Sequence, residues 1–158
     1  MIPAAFDYKK ADSAEEAIAL IAEHGDEAKL LAGGHSLIPM MKLRLAVPSV
    51  LVDIAGVNDL SYIDDRDDHI AIGALAKHRS LETSDLLISE CPILAHVASK
   101  VGDPQVRHRG TLGGSLAHSD PASDLPAVVL ALGGSLVAQG PNGEREIGVA
   151  DFLSLIHI

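Results

Sequence analysis

Two glycine pairs, each followed within two residues by a serine, are the positions in this sequence best suited to binding chemistry. One pair lies in LLAGGHSLIP (residues 30–39) and the other in RGTLGGSLAHSD (residues 109–120). Glycine lets a backbone approach a ligand closely and turn its N–H groups toward an anion, and a helix that starts just after the turn adds the positive end of its dipole. Both features predict a diphosphate site. The competing interpretation, for either pair alone, is a tight turn between packed elements.

A third glycine pair has a sufficient structural explanation. In DLPAVVLALGG, Pro126 opens an apolar helix, Gly133 and Gly134 end it, and SLVAQ then runs as a strand into a Gly-Pro-Asn-Gly turn. The second pair shares the local string LGGSL, but its setting differs. No helix is predicted close before it, and the cationic stretch of residues 107–109 stands just upstream in an acidic chain.

Other chemistry is poorly supported by the sequence. The chain has eight histidines, but no pair stands at helix-face spacing beside a carboxylate, so no metal site is predicted. The serines after the glycines do not sit in G-x-S-x-G and no base is indicated beside them, so no catalytic residue is assigned. The acidic string DDRDD is most simply the solvated tip of a hairpin.

The elements that must position the glycines follow from local patterns. SAEEAIALIAEHG predicts a helix capped by Ser13 and stopped by Gly25, and SLIPMMKLRLA predicts a second helix with Ser36 as its cap and Pro39 in its first turn. Short strands are predicted near residues 6–8 and in AKLLAG and SVLVDIA. Residues 1–55 therefore read β-α-β-α-β.

Beyond this unit the pattern changes. LSYIDDRDDHIAIGAL predicts a hairpin around the acidic turn, and SDLLISECPILAHVASKVG is helical on both sides of Pro92. A boundary at residues 56–58 would divide an α+β protein into a small lobe of residues 1–57 and a larger lobe of residues 58–153.

Composition restricts the class of protein. The chain has 158 residues, a net charge of -10 and one cysteine, Cys91. It can hold neither a disulfide nor a four-thiolate iron–sulfur cluster by itself, so any such centre must belong to a partner. Nucleic acid is disfavoured as a ligand by the negative charge. No stretch resembles a membrane span or a signal peptide, and this predicts a cytoplasmic location.

At the glycine pairs the sequence becomes similar to a known family. LLAGGHSLIPMMKLRL, VRHRGTLGGSLAHSDPASDLPA and FDYKKADSAEEAIALI closely resemble the FAD-binding medium subunit of the molybdenum hydroxylases, a family that includes aerobic carbon monoxide dehydrogenase and bacterial xanthine dehydrogenases. The resemblance covers residues 2–153. It implies the two-lobed FAD-binding fold shared with vanillyl-alcohol oxidase and p-cresol methylhydroxylase, with the flavin between the lobes.

The resemblance also implies the cofactor contacts. The residues that match the family's FAD contacts form four groups: the first glycine segment Ala32, Gly33, Gly34, His35 and Ser36, preceded by Lys29 and Leu30; the second glycine segment, residues 111–115, with its matching residues Thr111, Gly113, Gly114 and Ser115; the wall positions Val106, Gly110, Ala117 and His118; and the sugar-binding positions Ser123 and Asp124. We expect Gly33 and Gly114 to need positive φ angles. The alternative role of Asp124 is a helix N-cap.

The family mechanism implies an electron-transfer role. Substrate would be oxidised at a molybdenum cofactor on a large subunit, and electrons would pass through two [2Fe–2S] clusters on a small subunit to FAD and then to NAD, a quinone or another acceptor. The complex would be a dimer of heterotrimers.

Two alternatives stay open. One is a flavin oxidase of the berberine-bridge type, because AGGHS also resembles the loop where FAD attaches covalently through histidine. The other is a nucleotide-binding module without redox function.

The end of the sequence departs from the resemblance. Medium subunits continue past the segment matching IGVADFL into a further domain that helps to cover the isoalloxazine ring, whereas this chain reads SLIHI. The string LSLIHI resembles a translated sequencing adapter. We therefore expect the chain to be a fragment with native sequence to Phe152 or Leu153, a non-native tail at residues 154–158, and weak FAD binding.

Overall fold

The computed structural model describes residues 2–154, and its first layer is a three-stranded parallel sheet. The strands are β1 (Asp7–Lys10), β2 (Ala28–Leu31) and β3 (Val50–Asp53), in the order β1-β3-β2. Helix α1 (Ala14–His24) joins β1 to β2, and α2 (Leu37–Lys42) joins β2 to β3. The β-α-β-α-β prediction is confirmed. Because both connections run between parallel strands, the segments that follow the strands emerge at one edge of the sheet.

Helix α1 forms for the predicted local reasons. The Ser13 side chain accepts a hydrogen bond from the Glu16 N–H at 3.1 Å, and the chain leaves the helix through Gly25 at φ +54°. The apolar side of α1 packs on the sheet. The resulting buried cluster consists of Ala11, Ala17, Ala28, Val50 and Val52.

Helix α2 is shorter than predicted. It ends at Lys42, and Ser36 occupies the N-cap position as predicted, but its side chain forms no cap hydrogen bond. Arg44 adopts φ +61°, and the Leu45 N–H donates to the Met40 carbonyl at 2.9 Å. This left-handed residue and its bonding pattern close a helix in the manner more often seen with glycine.

The second part of the chain is mainly helical, with two antiparallel hairpins. Its elements are β4 (Ile63–Asp65), β5 (Ile70–Ile72), α3 (His78–Thr83), α4 (Asp85–Glu90), α5 (Pro92–Ala98), α6 (Pro104–Arg107), α7 (Leu112–His118), α8 (Asp124–Ala131), β6 (Ser135–Gly140), β7 (Gly143–Gly148) and α9 (Val149–Ser154). The acidic hairpin tip, the two helices around Pro92 and the strand after the third glycine pair are confirmed. Helix α8, however, begins at Asp124, two residues before the predicted Pro126.

A second buried cluster fills this larger part. Its members are Ala76, Leu81, Leu87, Leu94, Ala95, Ala98, Leu112, Leu116, Leu125 and Val128. All of them follow residue 58, and the cluster beneath the sheet lies wholly before it. This separation supports the predicted boundary at residues 56–58, which stays a prediction. Of the predicted tail, residues 155–158 lie outside the described residues.

The helices within residues 2–154 are all too short or too polar to cross a bilayer. The same residues hold no group of three or more His, Cys, Asp or Glu side chains placed to bind a metal ion.

His78, the first residue of α3, is the one buried histidine among the described residues. It is 5% exposed, and its Nδ1 has no hydrogen-bond partner. Burial, and secondarily the charge of His35, lowers the pKa of His78 from 6.5 to about 4. The imidazole is therefore neutral at pH 7.

The buried neutral imidazole makes stability depend on pH. Between pH 6.5 and about 4 the unfolded state binds a proton that folded His78 does not, so stability present above pH 6.5 falls as the pH drops through this window. The loss from this group is about 3 kcal/mol. Urea titrations at several pH values should show that His78→Gln removes a large part of the acid-induced loss. Replacement of the exposed His96 should leave it unchanged, and equal pH profiles for wild type and His78→Gln would contradict this account.

Candidate functional site

The first glycine segment, residues 32–36, leaves the carboxyl end of β2 and leads into α2. Gly34 has φ +77°, a backbone conformation that L side chains rarely adopt, whereas Gly33 has no positive φ. The first segment therefore contains a glycine with a positive φ, as predicted, but this glycine is Gly34 and not Gly33. The turn at Gly34 directs the backbone away from the sheet before the helix begins.

Five successive backbone N–H groups in this region have no acceptor. Among the hydrogen bonds of residues 2–154, none is donated by the N–H of Gly33, Gly34, His35, Ser36 or Leu37. The next N–H, from Ile38, donates to the Gly34 carbonyl at 3.0 Å. A run of unpaired N–H groups around a left-handed glycine is the arrangement that holds anionic oxygens.

The second glycine segment, residues 111–115, differs from its prediction. It is not a loop before a helix, because Gly113 and Gly114 lie in the first turn of α7 and neither has a positive φ. Thr111 is the N-cap, and its hydroxyl accepts from the Gly114 N–H at 3.2 Å. A short helix, α6, also precedes the segment, where none was predicted. Glycine is needed at Gly113 because a Cβ there would lie 2.7 Å from the Ala74 carbonyl oxygen.

The backbone N–H groups of the second segment are already bonded. Leu112 donates to the Ala76 carbonyl and Gly113 to the Ala74 carbonyl, both at 2.9 Å, and Ser115 donates to the Thr111 carbonyl at 3.0 Å. Together with the Gly114 bond, these satisfy every N–H from residue 112 to residue 115. The second segment is thus a rigid support rather than a second set of free donors.

The first segment meets the turn that leads into the second segment, and the contact is made at Gly33. A Cβ on Gly33 would lie 2.2 Å from the Arg109 carbonyl oxygen and 3.0 Å from the Gly110 Cα. On its other side Gly110 packs against His78, since a Cβ on Gly110 would lie 2.6 Å from the imidazole ring. Gly33, Gly110 and His78 therefore form a stack in which only residues without side chains fit at the two glycine positions.

Ser123, one of the two predicted sugar-binding residues, contacts the second segment. The hydroxyls of Ser115 and Ser123 are 3.0 Å apart. Asp124 is the first residue of α8 and Ser123 occupies the cap position, so the alternative role of Asp124 as an N-cap is wrong by one residue. Asp124 is exposed and its carboxylate has no hydrogen bond or ion pair within the described chain. This carboxylate is free to accept hydrogen bonds from the hydroxyl groups of a ligand.

The remaining predicted residues are less closely gathered. Lys29 and Leu30 are exposed on the edge strand β2, and Ala117 and His118 are exposed on α7. Val106 is half-buried, and its carbonyl accepts the N–H groups of Arg109 at 3.0 Å and Gly110 at 2.7 Å. Val106 therefore shapes the turn that brings Arg109 to Gly33.

Several residues of the site were missed by sequence reasoning. The Ala74 and Ala76 carbonyls accept from the second segment, His78 contacts Gly110, and the Arg109 carbonyl packs against the first segment at Gly33. The first three are distant in sequence from both glycine pairs and carry no local pattern. Arg109 was noted as part of a cationic stretch, but its contact is made by the backbone, which its side chain does not reveal.

Comparison with known proteins gives consistent matches. The chain is 48% identical over 153 residues to the 6-hydroxypseudooxynicotine dehydrogenase complex subunit alpha of Paenarthrobacter nicotinovorans, covering 97% of this chain and 52% of that protein. It is 44% identical over 152 residues to the carbon monoxide dehydrogenase medium chain of Hydrogenophaga pseudoflava, covering 96% and 53%. A solved structure of carbon monoxide dehydrogenase from Hydrogenophaga pseudoflava, lacking the Mo-pyranopterin moiety, superposes with a TM-score of 0.92 at 45% identity, covering 94% of this chain and 52% of that one.

These matches cover nearly the whole of this chain but only part of each relative. The chain spans about half the length of the curated relatives it matches. The family described as the FAD binding domain in molybdopterin dehydrogenase matches residues 4–157, nearly the whole chain. On this match and these relatives, the chain belongs to the family of FAD-binding domains of molybdopterin dehydrogenases.

Proposed function

We propose that the chain is the FAD-binding part of a medium subunit in a molybdenum hydroxylase and that the first glycine segment holds the FAD diphosphate. The observation that carries the site assignment is the run of five unpaired N–H groups from Gly33 to Leu37. A diphosphate brings several anionic oxygens, and each can accept from such donors. The second glycine segment, whose donors are satisfied, supports the first and presents the Ser115 and Ser123 hydroxyls.

The residues present fit FAD in position as well as in type. The phosphate-binding donors lie where the first segment meets the turn at Arg109 and Gly110. The free carboxylate of Asp124 suits sugar hydroxyls, and it would repel a phosphate. We therefore assign Asp124 and Ser123 to the ribityl or ribose hydroxyls, and Lys29, Leu30, Val106, Ala117 and His118 to the walls. The predicted two-lobed arrangement, with flavin between residues 1–57 and residues 58–153, belongs to the same proposal.

The chain would contribute binding and orientation rather than a catalytic acid or base. FAD, when bound, supplies the exchange between single-electron donors and two-electron acceptors. We propose that the donors are the [2Fe–2S] clusters of a small subunit, that substrate is oxidised on a molybdopterin-binding large subunit, and that the complex is a dimer of heterotrimers. The membership of relatives such as carbon monoxide dehydrogenase in this family supports these partners.

Gly34→Ala tests the assignment of the first segment. At φ +77° a residue with a side chain is strained, and its Cβ would lie 2.7 Å from the Ile38 Cδ1. The backbone would therefore shift, and the unpaired N–H groups would point in other directions. Flavin fluorescence titration of the chain should show FAD binding weakened roughly tenfold or more. The matched control is Gly133→Ala, at φ +65° with open space around the Cβ, which should lower stability alone. Equal FAD affinities for the two variants would remove the first segment from the site.

Asp124→Ala tests the sugar contact. If the Asp124 carboxylate accepts hydrogen bonds from sugar hydroxyls, its loss should weaken FAD binding by roughly 1–3 kcal/mol. Asp85 is a matched control, because it is likewise an exposed first residue of a helix, α4. Asp85→Ala should leave the FAD dissociation constant unchanged. If both substitutions lowered only the melting temperature, Asp124 would be a helix-stabilising residue and nothing more.

Acid precipitation distinguishes the berberine-bridge alternative. The proposed function needs no covalent bond to His35, so acid should release all the yellow colour of the FAD-loaded chain into the supernatant. Colour retained by the precipitate would favour covalent attachment and a flavin oxidase. Stepwise reduction of the reconstituted chain separates the remaining alternative, since a module without redox function would leave the reduction potential of FAD at its value in free solution.

A further inference from the structure

Helix α6 is too short to hold its own position. It has four residues, Pro104–Arg107, and a helix of this length is unstable without outside contacts. Its N-terminus is capped by Asp103, whose side chain accepts from the Val106 N–H at 3.0 Å. The placement of α6 matters because the Val106 carbonyl anchors the turn that brings the Arg109 carbonyl against Gly33.

An ion pair joins α6 to α3. The Arg107 Nε donates to the Glu82 Oε2 at 3.0 Å, and the two side chains are 14% and 18% exposed. Arg107 Nη1 also donates to the carbonyls of Val101, at 3.3 Å, and Gly102, at 3.4 Å. One guanidinium therefore joins α3, α6 and the chain before α6.

Helix α3 contacts the same region at a second point. The His78 N–H donates to the Gly110 carbonyl at 3.0 Å, one turn of helix before Glu82. The segment from Arg107 to Gly110 is thus held by α3 at both ends. Arg79 also reaches Glu82, at 3.0 Å, but its side chain is 47% exposed, and within residues 2–154 its guanidinium forms no hydrogen bond or ion pair with α6 or the turn.

We propose that Glu82 and Arg107 are positioning residues for FAD, acting through the ion pair that sets the Arg109 carbonyl against Gly33. The inference rests on the proposed function. Removing either residue breaks the ion pair that joins α6 to α3. Without Glu82, the largely buried Arg107 guanidinium keeps only two neutral carbonyls as partners, and without Arg107, the Glu82 carboxylate keeps only the exposed Arg79. A shift of α6 moves the Arg109 turn, and the first glycine segment, with its unpaired N–H groups, moves with it.

The test is FAD affinity of the 158-residue chain, measured by flavin fluorescence at a temperature where circular dichroism shows the fold intact. Glu82→Gln should weaken FAD binding about tenfold, within the range of coupling between contacting residues. Arg79→Gln, which removes only the exposed partner of Glu82, should change it less than about twofold. The Glu82→Gln, Arg107→Gln double variant should bind FAD as tightly as whichever single variant has the lower FAD affinity, because both substitutions act through one contact.

Three results would overturn the inference: an unchanged FAD dissociation constant in Glu82→Gln, equal losses in Glu82→Gln and Arg79→Gln, or additive losses in the double variant. If Glu82→Gln does not fold, Arg107→Lys takes its place. It keeps the charge but cannot reach Glu82 and the two carbonyls together, so it should weaken FAD binding severalfold, and wild-type affinity would contradict the proposal. A wild-type chain that binds no FAD would instead refute the proposed function itself.

Discussion

The arrangement of the site depends on one close backbone contact, between Gly33 and the Arg109 carbonyl. A Cβ at Gly33 would lie 2.2 Å from that oxygen, so any other residue would push the first glycine segment away from the Arg109 turn. This contact joins the end of a parallel strand in the N-terminal sheet to a turn in the helical part of the chain. The conformation of the first glycine segment, the packing of Gly110 against His78, and the contacts of α3 with residues 107–110 all help to keep Gly33 close to the Arg109 carbonyl.

The two glycine pairs have different physical roles. Gly34 provides a left-handed turn and leaves a run of N–H groups without acceptors, while Gly113 and Gly114 lie in a helical turn whose N–H groups are all bonded. Similar strings therefore leave a run of unpaired N–H groups in one place and form a hydrogen-bonded helical turn in the other. Both are needed, because unpaired donors on a flexible loop would lose conformational entropy on binding an anion.

Local patterns predicted the elements well and the long-range contacts poorly. The cap at Ser13, the stop at Gly25 and the acidic hairpin depend on neighbouring residues, and each formed as expected. The end of α2 was missed because Arg44 takes a backbone conformation usually given to glycine. The family resemblance identified the FAD-binding domain, which the comparisons confirm. It could not indicate which glycines are strained, nor that Glu82 pairs with Arg107, because such contacts join residues far apart in sequence.

The proposed role of the N–H groups from Gly33 to Leu37 is to bind the diphosphate of FAD. The most direct measurement is a titration of the nitrogen-15-labelled chain with FAD, followed by the amide resonances in two-dimensional NMR. Large downfield proton shifts are expected for these five amides, and small shifts for residues 112–115, whose N–H groups are already bonded. Large shifts confined to residues 112–115, with residues 33–37 unmoved at saturating FAD, would contradict the proposed role.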